Sequence, residues 1–109
     1  MKRYCLALDL KDDPKLIAEY EAHHQHFPLE ITKSIRDSGV TDMQIFRIGN
    51  RMFMMIEAND DFSFAGKAEM DAANPKVQTW EALMWQYQQA LPWAQPGEKW
   101  MLMERIFKL

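Results

Sequence analysis

Residues 43–56 read Met43-Gln44-Ile45-Phe46-Arg47-Ile48-Gly49-Asn50-Arg51-Met52-Phe53-Met54-Met55-Ile56. Here residues 42–48 and 52–58 form a hairpin candidate. Met43 and Ile45, with Phe46 and Ile48 on the opposite face, have strand-type content, and Gly49-Asn50 supplies the turn because both residues tolerate positive φ. The returning run Met52–Ile56 is apolar on both faces, which predicts a strand that is central or covered twice. On the N-terminal side, residues 3–10 read as a strand in which Tyr4, Leu6, Leu8 and Leu10 alternate with Cys5, Ala7 and Asp9. Asp12 or Asp13 can cap a helix whose first position suits Pro14. Leu16, Ile17, Tyr20, His24, Phe27, Ile31 and Ile35 then follow one another at helical spacings, and Gly39 is a natural stop. Pro28 falls inside that pattern, where a proline costs about 3 kcal/mol. It predicts a kink, or a break with a second helix from about Leu29 to Asp37. On the C-terminal side, residues 61–73 look helical and Asn74-Pro75 ends them. A further helix runs from about Lys76 to Ala90 with Val77, Trp80, Leu83, Met84 and Tyr87 on one face. Leu91 to Gly97 is a loop by its two prolines and glycine, and Trp100 to Phe107 reads as a last strand.

The order is β-α-β-β-α-β, the split, ferredoxin-like pattern of an α+β fold: one antiparallel sheet with helices on one face. The other face needs a cover, and a second copy of the same sheet supplies one, so a homodimer is expected. With 109 residues the chain is read as a single domain, 1–109. Thirteen Lys and Arg against 16 Asp and Glu give a net charge of −3, which argues against a nucleic-acid partner. The lone Cys5 excludes a disulfide framework and a cysteine-rich zinc site and fits a reducing compartment. The longest apolar run, Met52 to Ile56, is far short of a membrane span, and Met1-Lys2-Arg3 leads into a mixed stretch without the apolar run of a secretion signal. A cytoplasmic location with no membrane partner is the expectation.

Aromatic residues reach 12%, more than a core of this size obviously needs, and several fall where chemistry can sit. Tyr20 and His24 are four apart and stack on one helix face. A partly buried imidazole beside a phenol suits acid/base work near neutral pH, although both residue types also serve as amphipathic residues at a core edge. His23 and His26, three apart, with Glu19 four before His23, invite a metal reading but lack the three or four converging ligands that zinc needs, so no metal is expected. Trp80 can pack in the core or face the C–H patches of a sugar. Trp93, in a loop between two prolines, is expected to close over a pocket or a neighbouring subunit. There is no glycine-rich phosphate loop, nucleophile elbow or zinc-protease motif, and no covalent nucleophile or bound cofactor is suggested.

Over nearly its whole length the chain resembles the L-rhamnose mutarotase family. Tyr20-Glu21-Ala22-His23-His24 matches that family's Tyr-x-x-x-His. Pro28-Leu29-Glu30 stands where Trp-Pro-Glu is expected, with only Glu30 kept. Ile45 to Phe53 is similar to the family's strand, turn and Leu-Phe strand. Gln78-Thr79-Trp80-Glu81 stands for Gln-x-Trp-Trp, and Glu104-Arg105-Ile106-Phe107 is similar to the closing strand. The resemblance implies a dimeric ferredoxin-like α+β barrel that interconverts the α and β anomers of a 6-deoxy-L-hexose without metal or cofactor. It implies Tyr20 and His24 as the catalytic pair and Trp80 as a sugar-contacting wall. Loss of two aromatic faces and the gain of Glu81 suit a changed hydroxyl pattern, with Trp93 as a replacement wall and L-fucose beside L-rhamnose as candidate substrates. A small monooxygenase or a non-catalytic binding module on the same fold are the competing readings.

Overall fold

A computed structural model describes residues 1–109. The elements in chain order are β1 (Lys2–Leu10), α1 (Pro14–Gln25), α2 (Leu29–Asp37), β2 (Val40–Ile48), β3 (Arg51–Ala58), α3 (Phe64–Ala72), α4 (Pro75–Trp85), β4 (Gln88–Gln89) and β5 (Met101–Leu102). The sheet order is β2-β3-β1-β4, with β5 also pairing β1, and every pairing is antiparallel. This is the expected ferredoxin-like arrangement, and β3 lies inside the sheet as its two apolar faces predict. The hairpin register sets Ile45 opposite Met54 and Phe46 opposite Phe53. Gly49 takes φ +57°, the left-handed conformation that makes glycine the suitable residue in this tight turn.

Helix boundaries follow local chemistry. The Asp13 side chain accepts from the backbone N–H groups of Lys15 and Leu16, and Asn74 does the same for Lys76 and Val77, each followed by a proline at the first helical position. Pro28 breaks rather than bends the first helical stretch: α1 ends at Gln25 and α2 restarts at Leu29. Two boundaries differ most from the sequence reading, while α3 starts at Phe64 instead of residue 61 and β2 at Val40 instead of residue 42. The last helix stops at Trp85 instead of running to Ala90, because Gln88 and Gln89 leave it to pair with Leu10 and Asp9. The last strand is also shorter than the expected Trp100 to Phe107: Met101 and Leu102 pair with Ala7 and Leu6, and Met103 N–H donates to the Cys5 carbonyl, after which the chain has no strand partner. β4 and β5 thus share one edge of β1, with residues 90–100 looping out between them.

The helix face of the sheet carries the core, in two clusters. Leu6, Val40, Met54, Ile56, Ala58 and Phe62 form one. Leu8, Leu10, Met52, Tyr20, Met84 and Tyr87 form the other. Burying side chains such as Leu8 and Leu10 contributes roughly 1.5–3 kcal/mol each. Trp100, just before β5, packs against both clusters. The opposite sheet face remains apolar and open, with Phe46 52% and Ile48 83% exposed beside half-buried Phe53, Met55 and Met101.

Candidate active site

A cavity of about 280 Å³ opens where the two core clusters meet. That is just below the roughly 300–1,000 Å³ of drug-sized ligand sites and suits one small ring. The sheet forms its floor through Leu6, Met54, Ile56, Met43 and Ile45. Its polar rim comes from the helices and the edge loop: Tyr20 and His24 from α1, Lys67 and Asp71 from α3, Trp80 and Glu81 from α4, with Gln88 on β4 and Lys99 and Trp100 before β5.

Tyr20 and His24 meet because α1 sets residues four apart on one face. Their rings lie 4.4 Å apart between centroids, at 37°. His24 Nδ1 is 2.9 Å from the Tyr20 carbonyl oxygen. A carbonyl only accepts, so Nδ1 carries the hydrogen, and in the neutral ring Nε2 keeps a free lone pair. Burial pushes the His24 pKa below its ordinary 6.5; the Tyr20 carbonyl opposes that shift and His23 adds to it. Near neutral pH the ring is therefore an uncharged base. Tyr20 is buried, and burial raises its pKa above 10, only partly countered by a hydrogen bond from Gln88, so the phenol holds its proton. One group lacks a proton and its neighbour retains one. That is the complement general acid/base chemistry needs.

The break at Pro28 brings Phe27 round to the Trp80 ring, edge to face at 5.0 Å, and His24 meets the same indole at 5.7 Å. Outer clefts of about 390 Å³, beside Thr32, Arg36 and Asp42, and about 460 Å³, beside Glu21, Gln25 and Arg47, both reach His24, so the imidazole stands where the cavity meets the surface.

Tyr20, His24, Trp80 and Glu81 thus line one cavity. Trp93 does not. It is 66% exposed, and its ring lies 5.5 Å from the guanidinium carbon of Arg51, which the Asp9 carboxylate holds on the sheet face away from the helices. The cation–π contact draws the loop aromatic to that side, and Trp100 provides the second indole of the cavity instead. His23 faces the Tyr87 hydroxyl at 3.3 Å and His26 is exposed. No group of three or more His, Cys, Asp or Glu side chains is arranged to hold a metal ion. Lys67, Asp71, Gln88, Lys99 and Trp100 escape the sequence reading. The ion pair of Lys67 and Asp71, four apart on α3, looks from spacing alone like a surface pair, yet both side chains are largely buried.

The sequence matches the L-rhamnose mutarotase family over residues 3–109. The chain belongs to that family. Family membership makes it a sugar mutarotase, an isomerase, and does not favour the monooxygenase or binding-module readings. An L-fucose mutarotase of Xanthomonas campestris pv. campestris is 45% identical over 111 residues, covering 100% of this chain and 89% of that protein. The crystal structure of an L-rhamnose mutarotase from Formosa agariphila superposes with a TM-score of 0.73 at 22% identity, covering 100% of this chain and 99% of that one. A type-II polyketide cyclase of Streptomyces glaucescens shares the fold more distantly, with a TM-score of 0.60 at 19% identity over 100% and 99% of the two chains. No helix of the mutarotase chain is long and apolar enough to cross a membrane.

Proposed function

We propose that this mutarotase interconverts the α and β anomers of 6-deoxy-L-hexoses and prefers L-fucose to L-rhamnose, with His24 as base and Tyr20 as proton donor. The observation that carries the reading is the placement of the His24 and Tyr20 rings 4.4 Å apart on the wall of one small cavity, with His24 Nδ1 held by the Tyr20 carbonyl so that Nε2 is left for a ligand. His24 Nε2 removes the proton of the anomeric hydroxyl, the bond between the anomeric carbon and the ring oxygen breaks, and the Tyr20 hydroxyl protonates that oxygen. The departing alkoxide is far more basic than a phenolate, even one whose pKa burial raises, so the transfer runs downhill as the bond opens. After the aldehyde turns over, closure reverses each step and returns both groups to their starting states. No electron, phosphate or covalent adduct is needed.

Trp80 and Trp100 offer flat faces to the sugar's C–H patches. Glu81, Lys67, Asp71 and Lys99 offer partners to its hydroxyls. L-Fucose and L-rhamnose differ in ring-hydroxyl orientation, which hydrogen bonds discriminate strongly. The preference for L-fucose draws support from Glu81 in place of an aromatic residue and from the 45% identical relative that bears the L-fucose name. Saturation-transfer NMR on both sugars tests it: anomer exchange of L-fucose should exceed that of L-rhamnose at least several-fold, and equal rates would remove the claimed preference.

The pH profile follows from the two shifts. Activity needs neutral His24 and protonated Tyr20. It is constant through neutral pH and falls on the acid side only below pH 6.5, because burial lowers the imidazole pKa. On the alkaline side it falls only above pH 10, because burial raises that of the phenol. A rate that halves at or above pH 6.5 on acidification contradicts the assignment of His24.

We also read the working unit as a cytoplasmic homodimer. Support comes from the open apolar sheet face around Phe46 and Phe53, whose rings lie 6.0 Å apart, and from the single free cysteine. Sedimentation should give twice the 12.9 kDa chain mass for the wild type and the chain mass for Phe46→Glu. A monomeric wild type would refute the pairing.

A further inference from the structure

Gln88 lies on the two-residue strand β4, pinned opposite Leu10, and its side chain is buried against Tyr20 on the cavity wall. Its amide nitrogen donates to Tyr20 Oη at 3.2 Å. A phenol has a single proton to give. Had Gln88 been an acceptor at this place, that proton would be spent inside the protein. With Gln88 as the donor, the oxygen is satisfied without it. No buried side-chain nitrogen or oxygen in the molecule lacks a partner. The phenolic proton is not used in this contact, and Tyr20 lines the cavity.

We propose that Gln88 is a positioning residue for anomer exchange: it holds Tyr20 Oη as an acceptor, so that the phenol presents its one proton to the sugar. The proposal rests on the reading of Tyr20 as proton donor. The departure of the chain from the last helix into β4 sets this amide against the Tyr20 hydroxyl. An amide suits the task because it does not ionise, so the direction of the hydrogen bond is the same at every working pH.

Two variants test this against the wild type in one assay, NMR exchange of L-fucose and L-rhamnose anomers over a range of sugar concentration and pH. Gln88→Met keeps the length and removes the donor. It should lower kcat about 10-fold with KM within about twofold, as expected when a reacting group loses its orientation. Gln88→Glu keeps the shape and reverses the bond, since an ionised carboxylate accepts the Tyr20 proton. It should lower kcat about 100-fold at high pH, the scale of a lost general acid. Its activity relative to wild type at each pH should then climb as the pH falls and the carboxyl regains a donor. The ratio is compared at pH values where His24 is neutral in both proteins, since the new carboxylate also favours the imidazolium. A ratio that does not change with pH, or a Gln88→Met kcat equal to wild type, overturns the proposal; either variant decides alone if the other does not fold. A wild type that accelerates neither sugar instead removes the role of Tyr20, and that of Gln88 with it. An active wild type with a flat Gln88→Glu ratio removes only Gln88.

Discussion

His24→Asn is expected to slow L-fucose anomer exchange by about 10²- to 10⁴-fold, the range that a positioned general base contributes. Asparagine is the informative replacement. Its amide N–H reaches the place of Nδ1 and can still donate to the Tyr20 carbonyl, the 2.9 Å contact that orders this turn of α1. What it lacks is the ring's second nitrogen. The Trp80 face and the polar rim from Lys67 to Lys99 are untouched, so the concentration of sugar giving half the maximal rate should stay within a few-fold. A rate loss confined to kcat marks a group acting in the transition state rather than in binding. His24→Asn with the wild-type rate would end the role of His24. A loss seen only in KM would recast it as a wall of the cavity.

Tyr20→Phe should lower kcat by about 10²-fold or more, because the ring oxygen of the sugar then departs without a proton. This substitution differs from the first in its structural cost. Tyr20 is buried and its hydroxyl is the acceptor for Gln88. Removing it strands a buried amide donor, a penalty of about 1–3 kcal/mol. Tyr20→Phe should therefore melt several degrees below wild type, while His24→Asn melts close to it. The alkaline limb of the pH profile should also vanish in Tyr20→Phe, since the group that titrates there is gone. A retained alkaline limb would assign it to another residue.

Much of this arrangement is legible in the sequence, for local reasons. Period-two alternation and Gly49 specify the hairpin. Pro28 breaks the first helical stretch because it has no N–H to give. Tyr20, His24 and Trp80 stand out because helical spacing alone places the first two together, and the family pattern carries the third. What resists reading is set by contacts between distant parts of the chain. No glycine or proline marks the end of α4 at Trp85; pairing with β1 overrides the apolar periodicity that continues to Tyr87. The last strand ends early because only Met101 and Leu102 find partners on β1. Trp93 carries no local sign that Arg51, 42 positions earlier, will draw it to the far face of the sheet. Trp100 was a strand residue by its neighbours, and the pairing of Leu102 with Leu6 sets it on the cavity side. Gln88 belongs to no motif. Its meaning appears only when β4 carries it to the Tyr20 hydroxyl.

The most direct test is saturation transfer between the α and β anomer resonances of L-fucose at neutral pH, with the wild-type protein added at catalytic concentration. Transfer between the two anomers should become fast on addition of the protein and be at least about 100-fold slower when His24→Asn or Tyr20→Phe is added at the same concentration. Transfer that stays at the buffer rate with the wild type, or that is equally fast with both variants, would contradict acid/base anomer exchange by this pair.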